Sequence, residues 1–306
     1  MLPIFDYLIV LRPTLLIPVW TLVLVGYYHA GQVDVPIRLS FNWCVLSTIC
    51  LYSMLSGGCY IVNQIVDRET DEVNDKLYLI EQGYVKIPIL KVEAMVLIVG
   101  AIIWSALQFR NNITYLVLIV ISTVLGLMYS VRPIRLKGKP IVDLLVNAIG
   151  YGCIAFLIGW VSVSSVSSVA LQRSIPYVLC VAAAFVNTTL PDLTGDRSKN
   201  DITTGILLGI RRSCQFSLAL LVCAILASLW MDDWIALTTT IICFPFFVYM
   251  NFKRETKAII LSTRIGILAL SLIVCILIPM YAILFISTIF LVRWYYVVRL
   301  GIRYPW

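Results

Sequence analysis

The chain has a single histidine, His29, in 306 residues. That scarcity argues against a His-dependent hydrolase triad and against a His-ligated metal centre, because both need imidazoles at defined positions. The nine cysteines are scattered, none stands in a C-x-x-C pair, and their number is odd. Neither a disulfide framework nor a thiolate metal site is indicated, so small apolar packing is their expected role. Charge is scarce as well: 13% of residues are charged, where soluble domains carry about 25%. No polar linker or low-complexity stretch divides the chain, so residues 1–306 read as one domain. No basic region precedes the first apolar run, which Asp6 interrupts. A cleaved signal peptide is therefore not expected, and Leu2 to Val10 reads as a short interfacial segment.

What the chain has in abundance is apolar surface: 61% hydrophobic residues and a mean hydropathy of +0.96. Runs of this length and frequency predict an all-α, polytopic transmembrane helical bundle. The spans fall near 13–30, 43–63, 88–108, 113–130, 141–161, 175–191, 213–231, 234–251, 258–277 and 279–298. Pro176, Pro279 and Asp232-Asp233 read as start or turn signals. The last two runs are separated only around Pro279, so nine spans is the alternative to ten. Ser162 to Ser168 alternates serine with valine and reads as a loop.

With the N-terminus on side one and ten spans, about 20 of the 23 basic residues lie on that side. Only Arg38, Arg110 and Arg173 fall opposite. The positive-inside rule makes side one cytoplasmic and the protein a multi-pass membrane protein. The net charge of +7 is then a topology signal. No basic, aromatic-interleaved soluble module is present to bind nucleic acid.

Two acidic clusters carry the chemistry. The first is Asn63-x-x-x-Asp67-x-x-x-Asp71 and the second is Asp192-x-x-x-Asp196. On a helix, residues four apart share a face, so each cluster forms a ridge of oxygen ligands. Carboxylates are costly near a bilayer core, and oxygen-rich sets without His or Cys favour Mg2+ over zinc or copper. Between them lies the loop Tyr129-Ser130-Val131-Arg132-Pro133-Ile134-Arg135-Leu136-Lys137-Gly138-Lys139-Pro140. Arg135 as a fork and Lys137 as a point charge could grip the same anion that the metal ions hold. A diphosphate suits this mixed environment, and an isoprenoid tail suits the apolar bundle behind it. On this reading all three loops open on the cytoplasmic face.

Those motifs, with Arg12-Pro13-Thr14 at the first span and Thr203 seven residues after Asp196, resemble the UbiA superfamily of intramembrane prenyltransferases. The likeness runs from about residue 10 to 210. It implies a helical bundle with a lateral lipid-facing opening and a magnesium-diphosphate site at its cytoplasmic end. It assigns Asn63, Asp67 and Asp71, with Asp192 and Asp196, to a prenyl diphosphate held through Mg2+, and Lys137 to the departing diphosphate. Asp75 continues the first ridge outside this core set. Lys76 and Gly83 match a following turn that lacks the family's Arg-Pro, and Asn200 stands where a glycine often follows the second cluster.

The reaction expected is transfer of an isoprenoid group to an aromatic, quinone-like or lipid acceptor, with release of diphosphate. The acceptor itself is left open, because the departures fall on that side of the motif set. A membrane terpene cyclase on the same scaffold is the first alternative. A transporter of an anionic lipid or metal is the second, since acidic clusters about 125 residues apart also suit an internal repeat. Among secondary candidates, Tyr60, Tyr129 and Tyr151 could face a carbocation or simply pack. Asp143 and Asn147 share a helix face suited to interhelical hydrogen bonds. His29 is expected at the opposite interface, and Arg293-Trp294-Tyr295-Tyr296 reads as an interfacial anchor.

Overall fold

The computed structural model describes residues 2–33, 42–73, 78–198 and 201–302, and the described residues contain helices and no strands. Ten of the helices are long and apolar enough to cross a membrane. In chain order the elements are α1 (Leu2–Ile9), α2 (Pro13–Val33), α3 (Trp43–Val73), α4 (Tyr78–Glu81) and α5 (Ile87–Gln108). They continue as α6 (Ile113–Ser130), α7 (Val142–Asn147), a π-helical stretch (Ala148–Ala155) and α8 (Phe156–Val161), which together make one span. The remainder are α9 (Ser168–Thr189), the short α10 (Leu193–Ser198), α11 (Thr204–Trp230), α12 (Trp234–Lys253), α13 (Thr256–Leu277) and α14 (Pro279–Tyr295).

Helix α2 is apolar all round and runs through the middle. In its best span 78% of the residues are buried, against 22% for α5 on the rim. A helix without a polar face has to be enclosed by others. The enclosure is tightest against α8, where small residues let two backbones meet. A Cβ on Gly26 would stand 1.9 Å from the Phe156 carbonyl oxygen, and one on Gly159 would stand 1.8 Å from that of Val23. Interfaces of this kind hold membrane helices by close packing, because lipid supplies no hydrophobic drive between them.

Ends follow local chemistry. Asn112, Ser167 and Asp233 accept backbone N–H groups as N-caps of α6, α9 and α12. Pro279 starts α14 after a break at Ile278, which makes ten spans rather than nine. Pro176 does not start a helix: it lies inside α9, which begins eight residues earlier at Ser168. Transmembrane helices tolerate such a proline because neighbouring helices and local adjustment re-satisfy the freed backbone.

In the terminal segments Tyr295 turns inward, unlike the expected interfacial anchor. Asp6 of α1 is fully buried and accepts from Arg299 Nε (3.1 Å) and NH2 (2.9 Å) and from the Tyr295 hydroxyl. A clasp between chain ends 289 or more residues apart holds α1, and Tyr295 is its buried member; Trp294 remains half exposed beside Phe5. His29 is likewise interior. Its Nε2 lies 3.2 Å from Asp233 Oδ2 and 3.0 Å from the Tyr177 hydroxyl. Polar partners from α9 and the α11–α12 turn enclose the ring near the C-terminal end of α2, the end of the bundle away from the acidic clusters, as expected. Burial opposes ionisation of Asp233, but hydrogen bonds from His29, Ala236 and Tyr177 hold its carboxyl below the usual range.

Candidate active site

Three segments far apart in sequence meet at one end of the bundle: the C-terminal part of α3, the loop after α6, and the stretch from α10 to the start of α11. The four-residue spacing of the first cluster works as a helix dictates, with Asn63 Nδ2 donating to Asp67 Oδ2 at 2.8 Å. Asn63 also donates to Ser130 Oγ at 3.1 Å, which ties α3 to the end of α6.

Asp67 is the hub. It is 1% exposed. Its Oδ1 accepts from Arg135 NH2 at 2.9 Å, and its Oδ2 accepts from Lys137 Nζ at 2.7 Å. Such charge-assisted contacts are what make a buried carboxylate tolerable. Lys137 Nζ also lies 3.9 Å from Asp196 Oδ1, so one ammonium stands between the two acidic clusters. Burial works against the Lys137 charge, but Asp67, Asp196 and Asp71 outweigh it and raise its pKa. Asp71 lies 3.7 Å from Arg12 NH2, and Asp192 is half-buried at the start of α10.

Asp196 is buried, and its Oδ1 has no hydrogen-bond donor. Burial first, then Asp192, Asp201 and Asp67, push its pKa up to about 6 against the opposing pull of Lys137. Among the described residues, no three acidic, His or Cys side chains are drawn together closely enough to hold a metal ion. The spacing between the clusters is set by Lys137. The donor set still fits a hard divalent cation: it is all oxygen, and it includes a buried carboxylate oxygen that lacks a donor.

The sequence motifs did not reveal Asp201. It is buried, and it accepts Arg135 Nε at 3.0 Å and 3.2 Å and Arg135 NH2 at 2.6 Å. These contacts and Asp67 raise the Arg135 pKa against the effect of burial. The position falls five residues after Asp196, off the four-residue ridge, and the only sequence signal was a further carboxylate before Thr203-Thr204. Gln64 was also missed; its Nε2 donates to the Val10 carbonyl at 2.7 Å and seats the α1–α2 link on the first cluster. Asp143 accepts from Leu144 N and Thr204 N, each at 2.8 Å, and from the Thr204 hydroxyl, so it fastens the basic loop to α11. Arg38, Asp75, Lys76 and Asn200 lie outside the described residues.

Below the charged cluster, the Tyr60 and Tyr151 hydroxyls meet at 2.9 Å. Tyr151 sits in the π-helical stretch, a distortion that re-aims side chains and recurs at functional sites. A separate apolar cavity of about 90 Å³ lies between α2, α9, α12 and α13, lined by Pro18, Tyr177, Ala236 and Gly266 among others. It shares no residue with the acidic clusters.

The chain is similar to known proteins in sequence and in fold. The chain is 28% identical to the digeranylgeranylglyceryl phosphate synthase of Sulfurisphaera tokodaii over 67% of its own length and 70% of that protein. It is 26% identical to the probable homogentisate phytyltransferase 2 of Oryza sativa over 58% of its length and 49% of that protein. Its fold matches a UbiA homolog from Archaeoglobus fulgidus bound to GPP and Mg2+, with a TM-score of 0.67 and 15% identity, covering 88% of this chain and 99% of the other. A UbiA homolog from Aeropyrum pernix superposes with a TM-score of 0.65 at 17% identity, covering 87% and 98%. The sequence profile of the UbiA prenyltransferase family matches residues 18–258. Ten apolar helices, the charged cluster at one end and that match across most of the chain lead to one conclusion: this is an integral, multi-pass membrane protein of the UbiA prenyltransferase family.

Proposed function

We propose that the chain transfers an isoprenoid group from a prenyl diphosphate to an aromatic, quinone-like or lipid acceptor, in a reaction that requires Mg2+ and releases diphosphate. The observation that carries this reading is the position of Lys137 between Asp67 and Asp196, with Arg135 beside it. Cations and carboxylates alternate there around one buried point, as a metal-bound polyanion demands. Asp67, Asp71, Asp192 and Asp196 are the residues that would hold Mg2+. The ion's chemistry there is neutralisation of phosphate oxygens. The relative from Archaeoglobus fulgidus bound to GPP and Mg2+ supports the substrate class.

Lys137 has a job in each state of the cycle. Without substrate it neutralises Asp67. With a diphosphate in place its flexible arm turns to the phosphate oxygens, where negative charge builds as the allylic C–O bond breaks and its electron pair leaves with diphosphate. Arg135 stays fixed by two carboxylates and holds Asp67 in place. Tyr60, three residues before Asn63 on α3, and Tyr151, whose hydroxyl meets that of Tyr60, are the rings whose quadrupoles would favour a cationic prenyl group. A carbon or oxygen nucleophile of the acceptor then forms the new bond, and its C–H or O–H proton is lost to the released diphosphate or to water.

The named relatives transfer prenyl groups between molecules, which favours an external acceptor over internal cyclisation. We place this site on the cytoplasmic face, because the basic residues concentrate at the same end. Mass spectrometry of products from the purified protein, given Mg2+ and prenyl diphosphates of several lengths with and without a membrane-lipid extract, tests the reading. Coupled prenyl product and diphosphate are expected only when extract and free Mg2+ are both present. Full turnover in excess chelator, or a cyclic hydrocarbon formed without acceptor, would overturn it.

A further inference from the structure

We propose that Asp201 is a positioning residue that acts through Arg135 to orient the Asp67 carboxylate for its cation. This rests on the reading of Asp67 as a ligand given above. Arg135 lies between two carboxylates, with its Nε and NH2 edge on Asp201 and the same NH2 on Asp67 Oδ1 at 2.9 Å. Its NH1 reaches the Ser130 carbonyl at 3.4 Å. The guanidinium is therefore held on three sides. A planar fork with this many bonds has one orientation, unlike an ammonium that can swing.

The backbone is strained to make this possible. Arg135 has φ +37°, in the left-handed region that non-glycine residues avoid. Such a conformation persists only where surrounding contacts over-determine it, and the Asp201 carboxylate joins the backbone bonds from Arg135 N to the Val131 carbonyl and from Gly138 N to the Arg135 carbonyl in doing so. Asp201 is itself seated by contacts that do not involve Arg135. A Cβ on Gly138 would stand 2.7 Å from Asp201 Oδ1, so this glycine lets the loop backbone approach. Ile202 N donates to the Gly138 carbonyl at 3.3 Å, and Ile141 N donates to Thr204 Oγ1 at 2.8 Å.

The consequence is a division of labour between the two Asp67 oxygens. Oδ1 is committed to Arg135, while Oδ2 is shared by Asn63 and Lys137. A cation held here would take Oδ2 in place of Lys137, on a carboxylate that Arg135 already orients. Asp201 thus does for Asp67 what carboxylates behind metal-bound histidines do, and outer partners of that kind change metal affinity by roughly 10–100-fold.

The test is direct Mn2+ binding by the full chain in lipid nanodiscs, read by electron paramagnetic resonance of free Mn2+ without prenyl diphosphate. The variants are Asp201→Asn, Asp201→Glu, Arg135→Gln and the double variant Asp201→Asn with Arg135→Gln. Asp201→Asn is expected to weaken Mn2+ about tenfold or more. Arg135→Gln should weaken it similarly, although it removes a positive charge, and the double variant should be no weaker than Arg135→Gln alone. Asp201→Glu, which keeps the charge but lengthens the arm, should also weaken binding. A simple charge field makes the opposite forecast: Arg135→Gln tightens Mn2+, Asp201→Glu is neutral, and the single effects add. Either that pattern or wild-type affinity in Asp201→Asn overturns the proposal. If Asp201→Asn does not fold, the sign of the Arg135→Gln effect still decides. Absence of saturable Mn2+ binding by the wild-type protein would instead overturn the reading of Asp67 as a ligand.

Discussion

Removing Lys137 should move cation binding and catalysis in opposite directions. Its ammonium is 2.7 Å from Asp67 Oδ2 and 3.9 Å from Asp196 Oδ1, so it competes with a divalent cation for both clusters. A hydrogen bond to a charged group is worth about 1.5–3 kcal/mol net, and an entering cation has to break this one. Lys137→Ala should therefore tighten Mn2+ binding by roughly 10–100-fold when no diphosphate is present, since about 1.4 kcal/mol is tenfold. The same variant loses the charge that meets the leaving diphosphate. Loss of one such stabiliser slows reaction about 100–1,000-fold, so single-turnover prenyl transfer at saturating substrate should fall by that factor. Lys139→Ala is the control. It removes one positive charge from the same loop, but Lys139 is exposed, and both readouts should stay near wild type. Unchanged or weaker Mn2+ affinity in Lys137→Ala would refute the competition. Equal single-turnover defects in the two variants would show that the loop supplies only a diffuse field.

Other perturbations separate the roles of neighbouring groups. Asp67→Ala and Asp192→Ala should each lower turnover by at least about a hundredfold. Only Asp67→Ala should also lower the thermal midpoint clearly, because it leaves the Lys137 ammonium without its 2.7 Å partner and takes one of two carboxylates from Arg135, and breaking a buried pair costs about 3–5 kcal/mol; equal midpoints would refute the hub role. Asp196 has its pKa raised to about 6 from 3.8. A carboxyl whose folded pKa is raised stabilises the fold below its unfolded pKa and loses that contribution as pH rises through the folded value. The metal-free protein should thus lose up to about 3 kcal/mol between pH 4 and pH 7.5 from this group. Asp196→Asn should flatten that part of the curve, and identical slopes in both proteins would rule the assignment out. Gly159→Ala places a methyl 1.8 Å from the Val23 carbonyl oxygen, so it should destabilise by about 1–3 kcal/mol through overpacking; a wild-type melting midpoint would contradict the close α2–α8 packing.

The sequence by itself determined the features that depend on local periodicity. Apolar runs long enough for a bilayer specify nine or ten helices whatever they later pack against, and the break at Ile278 before Pro279 in the structure decides for ten among the described residues. The four-residue spacing places Asn63 beside Asp67 because a helix turns through 3.6 residues, and the 2.8 Å bond between them follows. Tertiary structure decided everything that joins distant segments. No local signal says that Arg135 and Lys137 close on Asp67 from 68 and 70 positions away, or that Asp201 clamps Arg135 from off the ridge. Pro176 resembles a helix start until the helices around α9 re-satisfy its backbone. Tyr295 resembles an exposed anchor residue until Asp6 meets it, and nothing local pairs His29 with Asp233. In each case a polar group entered the interior because a partner from far along the chain was there, and that pairing exists only once the helices are packed.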